Sequence, residues 1–434
     1  MVRRAGTWFG CAQRNVIILA VVAAWNQESS VSADVKQTVL DRMARRSESF
    51  GRSPWTFIDQ YLDRHPDLIY FGNGAPAPEL YPVERLRAAA ESAWSGIDAS
   101  ALDYGELKGY RPLREYIAER MTREGTPVSP ERLLLTFGSQ QGIDIAARLM
   151  LDPGDDLAAE GPTYIGALQA FDAYEPTYHL YPVDVEGLPV DQLVAATRRS
   201  GRAPKIIYVI PNYQNPTGQT MSLGRREELV AFAREHGSLI VEDDPYGELW
   251  YEQRPPPPLR SLDDQVAYLG TFSKTIAPGL RVGWMVIPEN LMSRALMAKE
   301  ASEISGVRSV TRVVHAAAAG FLDEHVVAAR EFYGRRREAV LAALSDAMPP
   351  GVIWTAPGGG FFVWVTLPEP LLASDLLPIA ADHGVGYLPG RFFYPCAEGE
   401  DRSLRLSFSA MPEARLRAGV SRLGAAIAQM MQSL

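Results

Sequence analysis

The sequence predicts an α/β fold: a mixed, mostly parallel sheet with helices on both faces, joined to a smaller α+β domain. Three observations predict it. Short, wholly apolar runs alternate with helical stretches, and strands covered on both faces need runs of that kind. Nearly every apolar run ends in a small polar cluster, and ligands of parallel sheets bind beyond the carboxyl ends of the strands. Finally, 434 residues are too many for one compact core, so two domains are expected to share the chain.

Residues 33–62 read as helical with a break at Gly51–Pro54. A short strand at Leu68–Phe71 runs into the Gly/Pro-rich loop Gly72–Pro82, where small residues let a ligand approach the backbone. Pro82–Trp94 has helical periodicity, and Gly109–Arg114 opens another helix. Leu133–Phe137 is a strand followed by Gly138-Ser139-Gln140-Gln141-Gly142 and a helix through Leu151. Strand, Gly-Ser, helix start is an arrangement that aims backbone N–H groups at an anion, although ordinary helix caps look similar. Further strands are Asp156–Ala159, Thr177–Val183, Lys205–Ile210 and Ser238–Glu242, with an amphipathic helix at Ser222–His236. Asn290–Ala347 is mainly helical; strands at Phe361–Val365 and Leu404–Phe408 flank a helix near Leu371–His383. The domain reading is a poorly ordered leader (1–45), a segment packing on the small domain (46–95), a large domain (96–335) and a C-terminal small domain (336–434).

Composition is that of an ordinary globular protein, 47% hydrophobic and 22% charged. A net charge of −9 argues against nucleic acid as the partner. Cys11 and Cys396 make no metal or redox spacing, and the six histidines form no ligand pattern. A cytoplasmic location is expected. Arg3, Arg4 and Arg14 precede the apolar run Val16–Ala24, which resembles a signal peptide but is too short to span a membrane. The plainer reading, a loose leader or an upstream start codon, is preferred, and no membrane partner is expected.

One stretch carries the chemistry. Tyr268–Thr271 is a buried-strand run, Phe272–Leu280 holds one lysine and a Pro-Gly turn, and Arg281 precedes a second apolar run, Val282–Ile287. Lysine is rarely buried without a partner. Burial disfavours its charged form, and a neutral amine forms a Schiff base with an aldehyde. Ser273, Thr271 and Arg281 suit a phosphate. An aldehyde carrying a phosphate is pyridoxal 5'-phosphate (PLP). The plainer reading is a surface lysine and arginine beside a turn.

Read in order, GNGAPAPELYP, YGELKGYRPLR, GSQQG, EGPTYIGALQAF, PNYQNPTG, EDDPYGEL, TFSKTIAPGLRVGW, PGGGFFVWV and LRLSFS resemble the class I and II aminotransferases, PLP enzymes of fold type I. The likeness runs from about Gly51 to Leu434 and leans to the subgroup of 2-aminoadipate aminotransferases and the aminotransferase half of MocR-type regulators. It implies Lys274 as the Schiff-base lysine and proton carrier, with Asp243 on the pyridine nitrogen. Asn215 and Tyr246 would meet the ring's phenolic oxygen, and Tyr164 would stack on the ring. Ser139, Gln140, Ser273 and Arg281, with Thr271 less prominent, would hold the phosphate. Tyr104 would reach the phosphate of a neighbouring subunit, which implies a homodimer. Arg405 would clamp the substrate α-carboxylate, with Gly74 beside the substrate.

Two departures bear on substrate. The family's Gly-Gly-Leu-Pro loop is Asn73-Gly74-Ala75-Pro76 here, which adds a polar side chain. Phe57 falls where adipate-type enzymes place an arginine for a distal carboxylate, so an aromatic, aliphatic or unusual amino acid is expected rather than a dicarboxylic one. The expected reaction is transamination between an L-amino acid and a 2-oxo acid. Elimination, cyclisation or oxygen-dependent oxidation would use the same cofactor residues. A PLP-sensing regulator is disfavoured, because the first fifty or so residues show no DNA-binding pattern.

Overall fold

The computed structural model describes residues 42–47, 61–95, 97 and 99–433. The chain divides into two compact units, Met1–Gly51 and Arg52–Leu434. In the first, residues 42–47 hold a short turn in which Ser47 N–H donates to Ala44 O at 2.8 Å. Most of the expected leader, most of the expected 33–62 helix, and Phe57 lie outside the described residues.

The second unit carries, in chain order, β1 (Ile69–Tyr70), β2 (Leu133–Thr136), β3 (Asp156–Gly161), β4 (Thr177–Pro182), β5 (Ile206–Val209), β6 (Leu239–Asp243), β7 (Ala267–Thr271), β8 (Gly283–Val286), β9 (Ile353–Trp354), β10 (Phe362–Thr366), β11 (Val385–Gly386), β12 (Leu388–Pro389) and β13 (Ser403–Ser407). β2 to β8 form one seven-stranded sheet in the order β2-β8-β7-β6-β5-β3-β4. β3 to β7 are parallel. β8 is antiparallel to both β7 and β2, so β2 runs the same way as β7. This is the mostly parallel sheet that the unalternating apolar runs predict. β2, β5 and β8 are buried end to end, as strands covered by helices on both faces are, whereas the edge strand β4 is mostly half-buried. Each fully buried Val, Leu or Ile among them stabilises by roughly 1.5–3 kcal/mol.

A second, antiparallel sheet has the order β12-β13-β10-β9, and β1 pairs in parallel with β11. Its core gathers Phe71, Val363, Val365, Leu404, Leu406 and residues of the helix Glu413–Gln432. The helix Arg308–Ala347 is continuous through position 335. The helices Ile165–Asp172, Val190–Ser200 and Glu413–Gln432 are among those that the sequence does not mark with a capping residue. Their N-caps are Tyr164, Pro189 and Pro412, none with a capping side chain. The helix Leu223–His236, by contrast, has Ser222 accepting from Arg225 N and ends at Gly237 in the left-handed region.

Candidate active site

The sheet topology converges the site. β2, β3, β5, β6 and β7 all point their carboxyl ends to one edge. They deliver Ser139, Tyr164, Asn215, Asp243 with Tyr246, and Ser273 with Lys274. The reversed strand β8 brings Arg281 to the same edge from its amino end.

Lys274 is partly buried, and its Nζ donates to Gly74 O at 3.0 Å. Burial first, and then the charges of Arg405 and Arg281, push its amine down to about 8; Asp243 acts the other way. The ring of Tyr246 lies 6.0 Å from Nζ. Arg405 is buried, with Nη2 donating to Gly72 O at 2.7 Å and Nη1 to Asn215 Oδ1 at 2.8 Å. Its Nε has no partner among the described residues. The guanidinium lies 4.2 Å from the Phe362 ring centroid and 5.0 Å from that of Phe393. A side chain at Gly74 would meet Phe362 Cζ at 2.9 Å, so only a glycine fits there without displacing that ring.

Asp243, 2% exposed, accepts from Tyr208 Oη at 2.8 Å through Oδ2. Its Oδ1 is buried and has no partner among the described residues. Burial pushes the carboxyl up to about 7; the Tyr208 bond opposes this, Asp244 adds to it, and Lys274 opposes it. A buried carboxylate oxygen needs a donor. A protonated pyridine nitrogen is such a donor, so the site fits PLP at this end. Tyr246 is buried with its ring edge-on to Phe361 and Phe362, and burial raises its hydroxyl well above the ordinary range. Tyr164 caps the helix Ile165–Asp172; burial raises it too, with Asp243, Arg405 and Arg281 close enough to act on it.

The end of the site around Ser139 and Arg281 is built by close approach. Ser139 and Gln140 open the helix Ser139–Met150 behind Gly138, which has φ 72°. A side chain at Gly138 would strike Arg281 Nη2. Arg281 is itself left-handed (φ 52°) and donates from Nη2 to Phe137 O at 3.1 Å. Thr271 Oγ1 donates to Ser273 Oγ at 2.8 Å and accepts from Ser273 N at 3.1 Å. Gln140 has its side chain committed to Gly166 O, which leaves its main-chain N–H at the helix start. Arranged N–H groups, hydroxyls and a guanidinium at a helix start suit a phosphate.

Tyr104 is not brought to this constellation within one chain: it is 75% exposed. Asn73 is exposed, and its Oδ1 accepts from Ala75 N at 2.9 Å within its own loop. Sequence reasoning missed Tyr208, Phe362 and Phe393. Tyr208 reads as one more strand residue in Ile206–Val209. Phe362 lies within the PGGGFFVWV segment, which gave a signal without a role. Among the described residues no helix is long and apolar enough to cross a membrane, and no His, Cys, Asp or Glu group is placed to hold a metal ion.

The profile of the family "Aminotransferase class I and II" matches residues 66–423. Aromatic-amino-acid aminotransferase 1 of Thermococcus litoralis is 40% identical over 374 residues, 84% of this chain and 89% of its own length. The structure of Pyrococcus horikoshii kynurenine aminotransferase with PMP is similar at TM-score 0.85 and 36% identity, over 91% of this chain and 98% of that one. The α-aminoadipate aminotransferase of Thermus thermophilus, complexed with N-(5'-phosphopyridoxyl)-L-leucine, is similar at TM-score 0.83 and 33% identity, over 91% and 99%. The lysine, the buried Asp243 carboxylate and the helix start at Ser139 thus lie in a chain that belongs to the class I and II aminotransferases, PLP-dependent enzymes that transfer amino groups between amino acids and 2-oxo acids.

Proposed function

We propose that this aminotransferase acts on L-amino acids with aromatic or apolar side chains rather than dicarboxylic ones, and that Lys274 and Asp243 are its central residues. The observation that carries the site assignment is the buried, partnerless Oδ1 of Asp243 within electrostatic reach of Lys274. When bound, PLP supplies the aldehyde that exchanges amines and a ring that accepts the electron pair released from the Cα–H bond. Lys274 would hold the cofactor through Nζ and, once freed, would carry the α-proton on that atom. Asp243 would keep the pyridine nitrogen protonated. Asn215 and Tyr246 would donate toward the phenolic oxygen, and Tyr164 would cover the ring face. Ser139, Ser273 and Arg281 hold the phosphate, with Thr271 orienting Ser273 and Gln140 offering its main-chain N–H. Arg405 takes the α-carboxylate bidentately, exchanging Gly72 O and Asn215 Oδ1 for carboxylate oxygens. Gly74 leaves room for the substrate.

The charged groups acting on Lys274 are Arg405, Arg281 and Asp243. Of these, Arg281 is assigned to the phosphate and Arg405 to the α-carboxylate, and the sequence has Phe57 where adipate-type enzymes place the arginine for a distal carboxylate. The aromatic walls of Phe362 and Phe393 and the aromatic-amino-acid relative agree with that. The proposal extends to a cytoplasmic, biosynthetic homodimer in which exposed Tyr104 reaches the partner's phosphate. It also takes 96–335 as the PLP-binding lobe, 336–434 as the small lobe and 46–95 as the segment packed on it.

The test is an absorbance spectrum of the holoenzyme with single amino acids and no acceptor. Phenylalanine or tyrosine should bleach the visible band to the pyridoxamine form, and a 2-oxo acid should restore it, with glutamate and 2-aminoadipate much weaker. Ammonia release without the pyridoxamine form would replace transamination with elimination. Equal response to 2-aminoadipate would overturn the substrate assignment.

A further inference from the structure

The loops carrying Tyr164 and Asn215 leave different strands, β3 and β5, yet both must meet one cofactor. A buried pair that the chemistry above does not use ties them together. Glu160, 1% exposed near the end of β3, accepts through Oε2 from Ile210 N at 2.9 Å and from Gln214 Nε2 at 3.3 Å. Gln214, also 1% exposed, donates from the same Nε2 to Pro162 O at 2.7 Å. Its Oε1 accepts from Thr217 N at 2.9 Å and Thr217 Oγ1 at 2.8 Å. Its main chain closes the same loop, N–H to Gln219 O at 2.8 Å and carbonyl from Gly218 N at 2.6 Å. One side-chain amide therefore reaches both sides: Pro162 lies two residues before Tyr164, and Asn215 is its own neighbour. Burial pushes Glu160 up to about 8, so at neutral pH it meets Gln214 and Ile210 mainly as an uncharged acceptor. A buried amide with both its donor and acceptor sides engaged is costly to disturb.

We propose that Gln214 is a positioning residue that sets Asn215 and Tyr164 against the cofactor together, through Glu160 and Pro162. This rests on the assignment of Asn215 to the cofactor ring made above. Asn215 also accepts from Arg405, so a shift of Gln214 reaches the α-carboxylate site through the same side chain.

The experiment follows the visible absorbance of the holoenzyme as a function of pH, with kcat and KM for an accepted amino acid alongside. Asn215→Ala should move the titration midpoint by about one pH unit, because a donor to the cofactor's ring oxygen is lost. Gln214→Leu should move it in the same direction and raise KM about tenfold, with a smaller change in kcat. The double variant should titrate like Asn215→Ala alone, since Gln214 acts through Asn215. Gln214→Glu is the second variant: it keeps the acceptor for Thr217, loses the donor to Pro162 and Glu160, and should move the midpoint as well. If Gln214→Leu or Gln214→Glu lowers only the melting temperature while Asn215→Ala moves the midpoint, the proposal is overturned and Gln214 is structural. Additive shifts in the double variant overturn it too. If Asn215→Ala itself leaves the midpoint in place, the assignment of Asn215 fails, and the proposal goes with it.

Discussion

Lys274 is held down to about 8 chiefly by burial, with Arg405 and Arg281 adding to it. Its neutral, nucleophilic form therefore grows as pH rises through that value. Covalent uptake of PLP by the apoprotein should speed up from about pH 7 to about pH 9 and then level off. A rate of appearance of the visible band that is flat over this range would contradict a depressed lysine. Lys274→Ala should cut kcat by about 10²–10⁴-fold or more, and borohydride should no longer fix PLP to the chain. Asp243→Asn keeps the size and an acceptor for Tyr208 but removes the charge, and should cost about 10²–10³-fold in kcat. Retained turnover in that variant would argue that the ring nitrogen has another partner. Lys274 and Asp243 stand out as candidates in the sequence because each is a charged group at the end of an apolar run. Tyr208 was not legible, because a tyrosine inside Ile206–Val209 looks like packing until Asp243, 35 positions away, is seen on the next strand.

At the scale of elements, the reversal of β8 matters most for the helix start at Ser139, beside Arg281. Gly283 opens this strand, and a side chain there would lie 2.8 Å from Gly138 C and Gly270 O and 2.9 Å from Ser139 N. All three are backbone atoms and cannot step aside cheaply. Gly283→Ala should push the helix start away from Arg281 and destabilise by about 1–3 kcal/mol. PLP affinity should fall at least about tenfold, which equilibrium titration of the apoprotein would measure. Unchanged affinity would mean that β8 does not shape the phosphate end. The strands of the large sheet were readable from their unbroken hydrophobicity. The helices that begin at Tyr164, Pro189 and Pro412 were not, because tertiary packing, not a capping side chain, starts them.

At the scale of the molecule, three acids sit fully buried near the site: Glu160 is raised to about 8, and Glu242 and Asp243 to about 7, all chiefly by burial. A raised carboxyl means that the folded chain holds protons that the unfolded chain releases. The stability these neutral acids contribute is present below the ordinary carboxyl range and is lost as pH rises through about 7–8. Urea unfolding of the apoprotein should therefore give a lower midpoint at pH 8 than at about pH 6. Glu160→Gln, which keeps an acceptor but cannot ionise, should flatten that fall. A midpoint that rises with pH would refute the assignment of buried neutral acids.

The sequence by itself determined the alternation of strands and helices and the family, because each is written locally in an apolar run and the few residues after it. Only the tertiary structure decided how those ends meet. The order β2-β8-β7-β6-β5-β3-β4 sets Arg281 beside Gly138, and the pairing of β10 with β13 sets Phe362 and Arg405 on one sheet. The placing of Arg405 on Asn215 and of Gln214 on Glu160 depends on contacts 190 and 54 positions apart in the chain. Contacts so distant leave no pattern in a single sequence, since the residues that make them are chosen by geometry that exists only after the sheet has formed.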